Sequence, residues 1–369
     1  MNHREKFLRT CRYQTVDRVP DYEFEAWEQT IHRWCREGNL PMEYDGSFTA
    51  IKDYFHTDKA EFGPGPYGNI GLLPGFEYKI LEKKNDHLIV QDNDGAIAEI
   101  MKPELGASIS HYLRYAIETR RDWEKIRDER LNPDTPGRIP DNLEKLCKLT
   151  YTADYPIGVW CGSLYGWLRN WMGVENISIA IMEDPKWIEE MMEHLTLLKL
   201  KVFVRLAGRC RIDYGSWWED MCYNKGPLIS PKLFARLMLP RYKRVTEFLR
   251  RECGCEFHLV DCDGNIHELV PYWLEGGINI MFPLEAAHTD AYKITKQFGK
   301  RVVLQGYFDK KALIAGKKAI DHEFNRLTPL LKKGGFIPHI DHQVPPDVSW
   351  ENYVYYRQRK CEWIGKNEH

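Results

Sequence analysis

The chain has 369 residues, 43% of them hydrophobic and 29% charged, a balance that excludes a disordered or fibrous protein and supplies a large core. A formal net charge of −2 gives no long-range field that would gather nucleic acid or an anionic membrane, so neither is an expected partner. The start, Met1-Asn-His-Arg-Glu-Lys, has no signal-peptide stretch, and no apolar run nears the roughly 20 residues of a membrane span, so the expected location is cytoplasmic. Ten cysteines form no CxxC pair and no compact disulfide framework, and reduced thiols are expected. The 12 Trp and 20 Tyr exceed what such a core needs, and large amphipathic rings also line ligand pockets.

In chain order, Glu5 to Arg12 reads as a short helix. Asp17-Arg18-Val19-Pro20 then leads into Asp21-Tyr22-Glu23-Phe24-Glu25, which alternates like a strand. Thr30 to Gly38 has helical spacing and stops at a glycine. Short runs at 78–84, 87–91 and 96–102, the last after Asn93-Asp94-Gly95, predict a small antiparallel β excursion near residues 75–103. A surface helix from Arg120 and a proline-rich loop, Asn132 to Pro140, follow.

From about 155 a rhythm sets the fold class. Apolar runs at 157–160, 212–214, 257–260, 278–282, 302–304 and 336–339 each precede a helix-length amphipathic segment. Such alternation implies an α/β fold with a parallel sheet and crossover helices. Six units, one more near Val19 and room for another predict a single (β/α)8 TIM barrel spanning 1–369. A doubly wound sheet is the alternative, but no G-x-G-x-x-G turn follows any strand.

In such a barrel the residues just past the strand ends carry chemistry. Here they are Trp217-Trp218-Glu219-Asp220, Asp261-Cys262-Asp263-Gly264-Asn265, Glu285 and His339-Ile-Asp341-His342. Carboxylates, a thiol and imidazoles on separate strand ends suit a zinc ion. The plain alternative is loop hydrogen bonding, with Asp263-Gly264-Asn265 as a turn that caps a helix. A metal-free site is a third option, with His339 or His342 titrating beside Asp220 or Asp263. His258, mid-strand, reads as a core histidine.

Several stretches resemble the uroporphyrinogen decarboxylase superfamily, which includes heme-pathway decarboxylases and cobalamin-linked methyltransferases. They are Arg18-Val-Pro20, Gly162-Ser163 with Gly166 and Arg169, Met172-Gly-Val-Glu175, Gly226-Pro-Leu-Ile-Ser-Pro231 after Glu219-Asp220, and Leu239-Pro-Arg-Tyr-Lys243. Asp263-Gly264-Asn265, Leu304-Gln-Gly306 and Gly334-Gly335 leading to Pro345-Pro346-Asp347 and Glu351-Asn352 complete the set. The resemblance implies a (β/α)8 barrel.

True decarboxylases carry Arg-Gln-Ala-Gly-Arg soon after the first of these motifs, and a polycarboxylate porphyrinogen needs such cations. Here Asp21 to Glu28 is acidic and has no arginine, which predicts a lip that repels that substrate. The methyltransferase branch implies a corrinoid (cobalamin) on a partner protein as acceptor, and a zinc site. By position, Asp261 and Asp263 stand for its His and Cys, and Asp341 or His342 for its last ligand. The expectation is therefore a methyltransferase of corrinoid-dependent O-demethylation acting on a small, flat methyl donor. Metal ligands are expected among Glu219, Asp261, Cys262, Asp263 and His342. Asp220 or His339 would move protons, and Trp160, Trp217, Trp218 and Tyr307 would line the substrate. A tetrapyrrole-acting decarboxylase and a non-catalytic corrinoid binder are the alternatives, and a homodimer is left open.

Overall fold

The computed structural model describes residues 1–60, 66–102 and 110–366. Four antiparallel strands, β1 (Lys79–Lys83), β2 (His87–Gln91), β3 (Ile97–Met101) and β4 (His111–Arg114), form the excursion. The first three match the sequence expectation; the fourth has no turn signal before it, and residues 103–109 lie outside the described residues. The turn between β2 and β3 closes on Asp92, whose Oδ1 accepts from the backbone N–H of Asp94 and Ala96 at 3.0 and 2.9 Å.

The main sheet is parallel and contains β5 (Gly158–Gly162), β6 (Tyr214–Trp218), β9 (Phe257–Asp261), β10 (Ile280–Phe282), β11 (Val303–Phe308) and β12 (Phe336–Ile340). Between β6 and β9, the short strands β7 (Cys222–Tyr223) and β8 (Gly226–Pro227) pair as a hairpin. Spatial order follows chain order without reversal, from β5 and β6 through β9 to β12. A doubly wound sheet reverses direction at a switch point, so this order is that of a TIM-barrel-type fold. Beyond β12, Ala26 bridges Val344 in parallel, which places the extended segment 20–26 beside the last strand. The described residues thus show six hydrogen-bonded parallel strands and this segment, against the eight units expected.

Alternation along the strands sorts the core into two. Tyr214, Phe257, Leu259, Ile280, Val303 and Ile337 point inward and pack with Tyr22, Phe7 and Cys11. Phe7 and Cys11 belong to the helix His3–Cys11, which closes the sheet's inner face from the N-terminal side, with Phe7 5.3 Å from Tyr214. Arg4 pins that helix through Asp213 at 2.6 Å. The other parity, including Val159, Trp217, Val260, Met281, Leu304 and Phe336, packs in the larger core under the helices. Cys147 and Cys210 form a disulfide, which corrects the expectation that all thiols are reduced; the other eight cysteines are free and buried. No helix of the described residues is long and apolar enough to cross a membrane.

The acidic segment corrects another expectation. Tyr22 packs inside, so Asp21, Glu23 and Glu25 point outward, and none forms an acidic lip. Asp21 meets Arg357 at 2.8 Å and Lys366 at 2.6 Å, while Glu23 meets Arg357 at 2.5 Å and Lys360 at 2.6 Å. Arg357 and Lys360 come from the helix Trp350–Ile364, which is thereby clamped to the first strand segment. Burial alone would raise Asp21, but Arg357, Lys360 and Lys366 outweigh it and hold its carboxyl well below the usual range. The linked stability is present above the unfolded carboxyl value of about 3.9 and is lost as pH falls below it. Arg357→Met leaves two buried carboxylates short of a partner and is expected to cost about 3–5 kcal/mol in urea unfolding. A loss under 1 kcal/mol, a margin typical of exposed pairs at about 0–1, would show the clamp to be incidental.

Candidate active site at the strand ends

At the C-terminal ends the inward positions are Trp160, Trp218, Asp261, Phe282 and His339, because they keep the parity of the inner core. Register places Trp218 and Phe282 on either side of Asp261. Phe24 stacks on Phe282 at 5.1 Å and on His342 at 5.9 Å, with His339 edge-on at 6.2 Å. A small aromatic chamber therefore surrounds one carboxyl group.

That carboxyl, Asp261, accepts no hydrogen bond from the described residues. Burial, then the nearby Asp263 and Asp220, push its pKa well above the usual range. Its neighbours are held elsewhere. Asp220 has φ +38° and its carboxylate accepts from Arg169 Nη1 at 2.5 Å. The Arg169 guanidinium lies 5.3 Å from the Trp218 ring centre, so it forms a positive edge to the chamber. Asp263 Oδ2 lies 3.5 Å from His342 Nε2. Gly264 has φ +80°, and a Cβ there would meet the Tyr223 backbone at 2.8 Å, so only glycine lets the β7–β8 hairpin close over this turn. Asp341, predicted as a possible last ligand, instead accepts from the N–H of Ala286 and Lys310, with burial raising it to about 6.

The predicted site residues separate into those that meet and those that do not. Glu219 is fully buried on the other side of the strand. It accepts from Ser163 Oγ, Tyr242 Oη and the N–H groups of Leu164, Tyr165 and Gly166 at 2.7–3.2 Å. It ties the start of the helix Tyr165–Met172 to β6 and has no lone pair to spare. Cys262 is buried, accepts from Met221 N–H at 3.4 Å, and its thiol is raised by burial first and then by a hydrogen bond with Cys222. His342 Nδ1 accepts from Gln343 N–H at 2.8 Å, so the neutral ring carries its proton on Nε2, toward Asp263.

A zinc ion needs three or more free donors, and of the five expected ligands Asp261 and Asp263 alone keep free oxygens, with Asp263 facing His342 at 3.5 Å. Among the described residues no three His, Cys, Asp or Glu side chains converge closely enough to hold a metal. The arrangement does not fit the expected zinc site.

Two aromatic expectations also change. Trp217 points outward and packs edge-on against Tyr242 at 5.0 Å. Tyr307 has φ +68°, which breaks the alternation and turns its ring outward beneath the Arg326 guanidinium at 4.5 Å. His339 faces the chamber, but its Nδ1–H donates to Ile340 O at 2.6 Å and burial drives its pKa down to about 3. It is a neutral acceptor through Nε2 and supplies no proton. His258 packs outside the strands between Trp217 and Cys255, as a core histidine does. Sequence reasoning missed Phe24, whose signal was the parity it shares with Tyr22, and gave Arg169 no role.

The family profile of uroporphyrinogen decarboxylase (URO-D) matches residues 104–357. The chain belongs to the URO-D family. Among solved structures, this URO-D family member is similar to a methyltransferase from Methanosarcina mazei, with 12% identity, a TM-score of 0.59, and 98% of this chain and 99% of that chain covered. A B12-independent methionine synthase from Shewanella sp. W3-18-1 in complex with selenomethionine matches at 12% identity and a TM-score of 0.40, covering 62% of this chain and 68% of that one. At 12% identity the likeness to the Methanosarcina mazei protein speaks to the fold alone. No curated protein matches the sequence.

Glu219 gives a direct test of its structural role. Glu219→Gln turns an amide toward N–H donors and is expected to lower stability by about 1.5–3 kcal/mol, read from the urea midpoint. Zinc content by mass spectrometry should not change; zinc lost with this substitution would return Glu219 to a ligand role.

Proposed function

We propose that this URO-D family chain is a methyltransferase that takes a methyl group from a small, flat donor, such as a phenyl methyl ether. The acceptor is a corrinoid carried by a partner protein docked over the strand ends, as the sequence resemblance implies. The corrinoid supplies the nucleophile when bound. The observation that carries the reading is Asp261, one carboxyl held between Trp218 and Phe282 at the strand ends, with no hydrogen-bond donor among the described residues and a pKa that burial pushes up.

The chemistry asked of the chain is modest. As the methyl–oxygen bond breaks, the methyl leaves without the bonding pair and the oxygen keeps it, so the oxygen needs a proton. Asp261, with its raised pKa, holds that proton where an ordinary carboxyl has lost it. Phe24, Phe282 and Trp218 provide flat faces for an aromatic ring and exclude water from the leaving oxygen. His339 Nε2 offers an acceptor that orients a donor hydroxyl.

The decarboxylase alternative is less well supported, and for a different reason than the acidic lip. A polycarboxylate needs free cations, but the cations at these strand ends are committed, Arg169 to Asp220 at 2.5 Å and Lys310 beside Glu285 at 3.8 Å.

Asp261→Asn is expected to lower kcat for phenyl methyl ether demethylation, with cob(I)alamin as acceptor, by about 100-fold or more. The deficit should shrink with a nitrophenyl methyl ether, whose phenolate leaves without a proton. Wild-type kcat should be lost as pH rises through the raised pKa of Asp261, and the variant should lack that limb. Unchanged turnover, or the same deficit with both donors, would remove Asp261 from the proton role.

A further inference from the structure

Strand β11 carries a polar side chain that the fold leaves unused. Gln305 lies directly opposite Ile337 of β12 and two positions past Val303, and both of those fill the interior, so its carboxamide also points inward. It is 2% exposed. Yet its Oε1 is buried and accepts no hydrogen bond from the described residues. Such an orphan acceptor costs the fold free energy that an apolar residue of similar size would not.

Register sets this amide beside the proposed reaction centre. Met281 pairs with Leu304, so Phe282, the next residue of β10, stands beside Gln305. On its other side Phe282 pairs with Asp261. Gly306 keeps the strand ends close: it has φ +104°, and a Cβ there would stand 2.0 Å from the carbonyl oxygen of Pro283, the residue after Phe282. Asp261, Phe282 and Gln305 therefore form one row across three neighbouring strands, about 10 Å from backbone to backbone at its ends. A small donor lying against Phe282 meets a carboxyl on one side and a carboxamide oxygen on the other.

The two ends of the row ask for different partners. The ether oxygen of the donor belongs to Asp261. Gln305 is neutral and its free atom is an acceptor, so it calls for an uncharged O–H elsewhere on the ring. We infer that Gln305 selects methyl donors that carry a phenolic hydroxyl, a methoxyphenol rather than a plain phenyl methyl ether, by accepting a hydrogen bond from that hydroxyl at Oε1. The inference rests on the methyl-transfer reading for the place of the ring, and it adds the substrate class.

The test is calorimetric titration of the full chain, without corrinoid, with 2-, 3- and 4-methoxyphenol and with the methylanisoles in which a methyl group replaces each hydroxyl. Apolar transfer favours the methyl compound, so a preference for the hydroxyl comes from a polar partner. At least one methoxyphenol is expected to bind about tenfold or more tighter than its methyl counterpart, and Gln305→Leu should reverse that order. Equal or weaker binding of every methoxyphenol would overturn the inference, and so would no binding at millimolar concentrations. A preference that survives in the variant would leave the amide to a water molecule and also overturn it. Turnover separates the two readings. A bound methoxyphenol that is not demethylated with cob(I)alamin would sink methyl transfer and leave the hydroxyl selection standing, whereas demethylation with no hydroxyl preference would do the reverse. If the variant fails to fold, the paired donors on the unsubstituted protein decide the matter.

Discussion

The arrangement of this chain depends on the period-two alternation of side chains along parallel strands whose order in space follows their order in sequence. One parity fills the interior and the other packs beneath helices. A one-residue difference therefore decides whether a group meets a ligand or a neighbouring helix. Trp217 and Trp218 are adjacent, yet the first is core beneath the helix Leu239–Cys253 and the second flanks Asp261. Glu219, one position further on, shares the outward parity and becomes an anchor.

Carboxylates show how environment divides one chemical group into three roles. Asp21 and Glu23 meet cations and join the last helix to the first strand segment. Glu219 meets N–H and O–H donors and fixes a helix start. Asp261 meets neither, among the described residues, and so its neutral form is favoured. The first two groups are fully used by the fold. The third lies between aromatic faces at the strand ends and is left for chemistry to draw on.

The tryptophan surplus divides in a similar way. Trp34, Trp123, Trp217 and Trp273 are core. Trp218 borders the strand-end chamber beside Arg169, and Trp160, Trp167 and Trp171 line a cavity between the antiparallel excursion and β5. Composition shows that there are more large rings than a core requires; it does not say which of them face open space.

The sequence by itself determined the strand–helix rhythm, the family motifs and the density of polar groups at strand ends. These are local signals, carried by runs of apolar residues and by turns such as Asn93-Asp94-Gly95. Tertiary structure decided which of those polar groups remain available. Cys262 and Glu219 lose their ligand role because Met221, Ser163 and Tyr242 reach them from segments distant in sequence. The acidic stretch after Pro20 loses its repulsive role because Arg357 and Lys360, more than 330 positions later, neutralise it. Tyr307 turns away where two consecutive positions, Gly306 at φ +104° and Tyr307 at φ +68°, have positive φ, a reversal that no pattern of apolar residues encodes. Hydrogen-bond saturation and charge pairing are properties of through-space neighbours, and only the folded chain supplies them.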